Sequence, residues 1–182
     1  MYSVAVFLHV VGALGLFAAL GVEWAGIANL RLSVATGQAR EWLKLVRRVW
    51  TVELPSVLML MVTGFYVSAA TGGGRPWIGL GLLATAVITA GGWLLAGRRL
   101  RRVGSVLIAQ GGTSDSVLAR QRAVRVLTLS AWLRTALALG VVFIMSIKPD
   151  RAGALSALGI ALVLGLAAGL LPFVRGPQAH HA

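Results

Sequence analysis

The chain alternates long apolar runs with short basic ones. Five apolar stretches, 3–30, 52–70, 77–96, 126–147 and 152–174, match or exceed the roughly 20 residues a helix needs to cross about 30 Å of hydrocarbon. Each run is continuously apolar rather than alternating, and an isolated strand leaves its backbone unsatisfied in lipid, so each reads as a helix. The pattern predicts an all-α, polytopic membrane helical bundle of five transmembrane helices, one domain over 1–175, followed by a flexible tail over 176–182. The first run has no basic stretch before it and is too long for the apolar region of a signal peptide, so it reads as a retained helix. Between the first two runs the period changes. Ala39, Trp42, Leu43, Val46, Val49 and Trp50 recur at helical spacing, opposite Arg40, Lys44, Arg47 and Arg48. That is an amphipathic helix over about 38–50, expected to lie on the membrane surface.

Composition sharpens this picture. Of 182 residues, 58% are hydrophobic and 12% charged, and the mean hydropathy is +0.85. A single soluble core of this size has no room for so much apolar surface. The net charge of +12 would suit a nucleic-acid binder, but the basic residues follow the spans. Thirteen fall in the segments after the first, third and fifth runs, and three fall after the second and fourth. The positive-inside rule then puts the N-terminus outside and the C-terminus in the cytoplasm, with the basic segments facing anionic lipid in a cell inner membrane. No recognition motif accompanies the charge, so no nucleic-acid partner is expected. Tyr2, Tyr66 and Trp77 fall at outer ends and Trp24, Trp50 and Trp93 towards inner ends, as anchors in the two interfaces would. There is no cysteine, which excludes disulfides, thiolate metal sites and cysteine nucleophiles.

The connecting segments add little chemistry. Gly111-Gly112-Thr113-Ser114 marks a cytoplasmic turn, after which Ser114 or Ser116 is placed to cap the fourth span's helix. No lysine follows it as a phosphate loop requires. His180 and His181 sit in the tail and read as solvated. Hydrolase triads and metalloprotease motifs are absent from the sequence.

The polar residues inside the runs carry the functional question, because an ionisable group in a span is costly and tends to face the bundle interior. His9 and Glu23 are 14 residues apart, as are Arg134 and Lys148. That is close to four turns, so each pair shares a helix face with about 21 Å between its members. The first and fourth spans run antiparallel. Glu23 and Arg134 therefore fall together towards the inner side, joined by Glu53, and an ion-pair cluster is expected there. His9 and Lys148 fall together towards the outer side. Gly12 and Ala13 beside His9 are small enough to admit a close helix or a flat ligand. A neutral imidazole is a good axial ligand, so His9 is the candidate metal ligand, to haem iron or another redox centre; Met59, Met61 and Met145 are further candidate donors. Packing and hydrogen bonding are the competing role for each of these residues.

LHVVGA in the first span, VEW near its end, the amphipathic AREWLKL and the MSIKPD that ends the fourth span resemble an uncharacterised bacterial integral-membrane family, distantly similar to the CopD-like and HemJ-like membrane proteins. The resemblance covers the chain up to about residue 150. It implies the bundle fold, and in HemJ-like proteins a first-span histidine and an intramembrane lysine surround haem b. His9 corresponds to the first; Lys148 departs from the pattern by ending the fourth span rather than lying in the third. The CopD-like side would imply copper, for which histidines and methionines are few here. Two other readings stand beside a haem or redox-cofactor protein. One is a cofactor-free structural or assembly protein, whose glycines at 153, 159, 165 and 169 would dock on the bundle, a second copy or a membrane-protein partner. The other is a small-substrate or ion transporter using Glu23, Glu53 and Arg134, although neither an inverted repeat nor a mid-span break is visible.

Overall fold

The computed structural model describes residues 1–32, 36–71, 75–92 and 114–174. They form six helices: α1 (Tyr2–Leu32), α2 (Thr36–Arg48), α3 (Trp50–Ala70), α4 (Pro76–Gly91), α5 (Ser114–Ile147) and α6 (Arg151–Val174). Among the described residues, four stretches are long and apolar enough to cross a membrane: Tyr2–Arg31, Glu41–Ala70, Val124–Ile147 and Arg151–Leu170. The described part of α4 is an apolar helix of 16 residues, about 24 Å long. The remainder of the expected third span, 93–96, lies outside the described residues, as do Trp93, the 111–113 turn and the tail with His180 and His181. The described part of α5 starts at Ser114, and the expected cap at Ser114 or Ser116 falls where no side chain is described.

Polar and apolar residues are distributed as a bilayer requires. Glu23, Glu53, Ser56, Thr63, Thr85, Thr128, Ser130 and Arg134 are buried, while Leu14, Val62, Phe65, Leu83 and Val163 are exposed. Water would penalise such a surface; lipid does not. Most of the inward hydroxyls satisfy themselves within their own helix, Ser56 donating to Val52 O, Thr85 to Gly81 O and Thr128 to Val124 O.

Neighbouring helices are antiparallel, and small residues set how closely they meet. A Cβ on Gly12 of α1 would lie 3.0 Å from the Ser56 carbonyl oxygen and 3.2 Å from the Leu60 nitrogen of α3, so two backbones pass at that point. Helix α4 lies along α5. A Cβ on Gly81 would be 3.5 Å from Met145 Cε, and Gly92 faces the Arg134 guanidinium. The core between α1, α3, α4 and α5 is Leu16, Leu20, Val57, Ala84, Ile88, Ala138 and Val141. Helix α6 returns along α5, with Gly165 against Ala136 and Leu133 and Gly169 against Leu129. The GLAAG surface is thus used within this chain. Gly159 meets nothing within 4 Å, and Gly153 packs on Pro149 in the α5–α6 turn.

Two local expectations resolve differently. The apolar face of α2 does not simply rest on lipid. Leu43 and Val46 are buried with Ile27 and Leu30 of α1 and Leu127 and Ala131 of α5, and Val46 occupies the space a side chain at Gly26 would need. The amphipathic pattern is the same for a helix seated on protein as for one seated on lipid, so periodicity alone does not separate them. Trp24, expected as an interfacial anchor, instead turns into the α1–α5 contact. Its indole N–H donates to Thr135 Oγ1 at 3.0 Å, and its ring meets Trp132 edge-on at 4.8 Å between centroids.

Candidate functional site

The charged residues within the bundle separate into two tiers. At one end, the Arg134 guanidinium of α5 joins two acids from different helices. Nη1 donates to Glu23 Oε2 of α1 at 2.5 Å, and Nη2 donates to Glu53 Oε1 of α3. Residue exposures are 3%, 3% and 1% for Arg134, Glu23 and Glu53. The guanidinium fork suits this task, since its nitrogens present donors in fixed directions to separate carboxylates. Gly92 closes the site from α4, where a Cβ would come within 2.8 Å of Arg134 Cζ. Four helices therefore converge on one side chain. With both acids ionised the triad has a formal charge of −1. Arg134 Nε, and Ser130 Oγ one turn earlier, have no hydrogen-bond partner among the described residues. Ionic and hydrogen-bonded attraction here replaces the hydration that each charge has given up.

The other tier is built around His9. Its Nδ1 lies 3.1 Å from Thr63 Oγ1 on α3. The Thr63 hydroxyl gives its own proton to Met59 O at 2.5 Å, so its oxygen is left to accept. With the hydroxyl proton so placed, the tautomer that fits carries its proton on Nδ1 and donates it to Thr63. The Leu60 carbonyl, 3.4 Å from the same Thr63 oxygen, is a second acceptor beside it. The lone pair of the neutral imidazole then lies on Nε2. Histidines that bind metals are held in this way, with the second nitrogen's proton committed to a protein acceptor.

His9 lies where two cavities meet. One, of about 360 Å³, is largely apolar and is bounded by Ala13, Phe17, Met61, Ile88 and Val141. The other, of about 340 Å³, is more polar and includes Tyr2, Ser68, Thr71, Arg75, Trp77 and Lys148. His9, Leu82 and Met145 border both. Their sizes fall within the range of small-molecule and cofactor sites, roughly 300–1,000 Å³.

Of the residues singled out from sequence, His9, Ala13, Met61, Met145 and Lys148 thus surround these cavities. Gly12 does not. It faces Ser56 and Leu60, and its function is to let α1 approach α3. Lys148 is exposed and adopts a left-handed conformation, φ 53°, as the residue that ends α5. Its N–H bonds Ile144 O at 2.9 Å, and two residues later Asp150 Oδ1 caps α6 by accepting from Gly153 N–H at 2.9 Å. MSIKPD is therefore first a helix–turn–helix joint. Thr63 and Arg75 were not singled out. A threonine whose partner lies 54 residues away leaves no local signal. No group of three or more metal-binding His, Cys, Asp or Glu side chains occurs among the described residues.

No family model, curated protein or solved structure matches this chain.

Proposed function

We propose that this chain is a five-span protein of the cytoplasmic membrane, N-terminus outside, that holds a planar redox cofactor of the haem b type through His9. The observation that carries this reading is the placement of the imidazole: its Nδ1 lies 3.1 Å from Thr63 Oγ1, whose own proton goes to Met59 O, and His9 borders two cavities. The fit to haem is chemical. An Nε2 donor suits haem iron, and the thioethers of Met61 and Met145 border the same apolar cavity. Bound haem would supply one-electron chemistry. The chain's own contribution is to hold the imidazole in one tautomer, offer an apolar seat and exclude water from it.

Two observations favour the five-span arrangement. Thirteen basic residues fall in the segments after the first, third and fifth runs and three in those after the second and fourth, the alternation expected of five spans. Helix α4 also keeps an antiparallel register with α5, from Gly81 beside Met145 to Gly92 beside Arg134, an interval of 11 residues on each helix. In this frame His9 is in the outer half and the Arg134 triad in the inner half. The triad reads better as a lock than as a transport path, because both acids are held by one guanidinium.

The test is the absorption spectrum of protein purified in mild detergent from haem-replete cells. A Soret band is expected, lost in His9→Ala without loss of folded yield. Thr63→Val keeps the ligand but removes the acceptor that orients it, and is expected to weaken haem affinity by about 10–100-fold. Colourless wild-type protein that also fails to take up added haemin contradicts the proposal.

A further inference from the structure

The two cavities that meet at His9 differ in charge as well as polarity. The polar one is bordered by Arg75 at the start of α4 and Lys148 at the end of α5, and by no carboxylate. Neither cation has an ion-pair partner among the described residues. The nearest acid in sequence to Lys148 is Asp150, which is engaged in capping α6. Hydroxyl-bearing Tyr2, Ser68 and Thr71 complete the polar lining. Lysine stands where helices commonly end in glycine, since a left-handed residue carries a steric penalty that glycine avoids. From this helix end Lys148 borders the cavity. The second cavity, which shares His9, Leu82 and Met145 with the first, is an apolar space with Phe17, Leu60 and Ile88.

We propose that the paired cavities form a site for an anionic amphiphile, its carboxylate or phosphate head held by Arg75 and Lys148 and its apolar body lying past His9. This rests on the reading of His9 as a ligand-binding residue and adds the chemical class of the ligand. A carboxylate-bearing tetrapyrrole and a fatty acid share that chemistry. Charge complementarity selects among apolar molecules: a neutral ester of the same shape fills the apolar space but leaves two cations without a counter-charge.

The experiment measures binding of two matched pairs to purified protein in neutral-lipid nanodiscs. The pairs are haemin against its dimethyl ester, and oleate against methyl oleate. The acid of at least one pair is expected to bind about tenfold more tightly than its ester. In the double variant Arg75→Gln/Lys148→Gln the ratio is expected to fall to about one, with ester affinity unchanged. Both side chains are exposed, so folding is expected to survive, and the wild-type ratio is a readout that needs no variant. Equal binding of acid and ester, or a preference that persists in the double variant, overturns the proposal. If oleate is distinguished from its ester while haemin does not bind, the haem reading falls and the anion site stands. If none of the four probes binds, both fall.

Discussion

Arg134→Leu is expected to cost about 3–5 kcal/mol of stability, because it leaves two carboxylates buried without their counter-charge. Glu23 and Glu53 are held by the same guanidinium from α1 and α3, so the loss extends across the bundle. Glu53→Gln is expected to be much milder. It leaves one Arg134–Glu23 pair and brings the triad's formal charge from −1 to zero. Replacing all three together, Glu23→Met/Glu53→Met/Arg134→Leu, removes attraction and desolvation penalty alike and is expected to recover most of the stability lost in Arg134→Leu, since buried ionic triads exchange for apolar side chains at little cost. Equilibrium unfolding in SDS–detergent mixtures measures all three. Equal stability of Arg134→Leu and wild type would show that the triad contributes nothing to the fold.

Gly12→Leu is expected to have the second-largest effect. Its new side chain would collide with the backbone of α3 at Ser56 and Leu60, which has no rotamer to yield with. Overpacking of this kind costs about 1–3 kcal/mol when side chains can shift, and the upper end is expected here. Forcing α1 away from α3 also separates His9 from Thr63, so ligand binding should fall with stability. Gly21→Leu is the matching control: nothing lies within 4 Å of a Cβ there, and the variant should unfold like wild type. Thermal unfolding followed by circular dichroism, with haemin titration on the same samples, checks both effects.

The fold is legible in the sequence wherever one helix speaks for itself. Long apolar runs mark the helices because lipid demands internally satisfied backbone. The meeting of Glu23 with Arg134 also follows from spacing, once antiparallel order is granted. That Arg134 takes both acids does not follow, because it depends on how far α1 and α3 are turned about their axes. The same limit applies at the other tier. Sequence places His9 and Lys148 at one level, but neither the Thr63 acceptor nor the Arg75 counter-charge has a periodicity to mark it. The seat of α2 and the inward turn of Trp24 were hidden for a related reason: an apolar stripe or an indole states a preference for a non-aqueous neighbour without saying whether that neighbour is lipid or protein. Gly12 shows the converse case, a small residue that looks like room for a ligand and is filled by a helix.

The imidazole tautomer is the most direct thing to measure. The chain has three histidines, so substituting His180 and His181 leaves His9 as the single ¹⁵N-imidazole signal in solid-state NMR of protein in lipid. A pyrrole-type Nδ1 hydrogen-bonded to an oxygen, with a pyridine-type Nε2 that shifts when haemin is added, is the expected result. A pyridine-type Nδ1, or an Nε2 indifferent to every ligand offered, would contradict it.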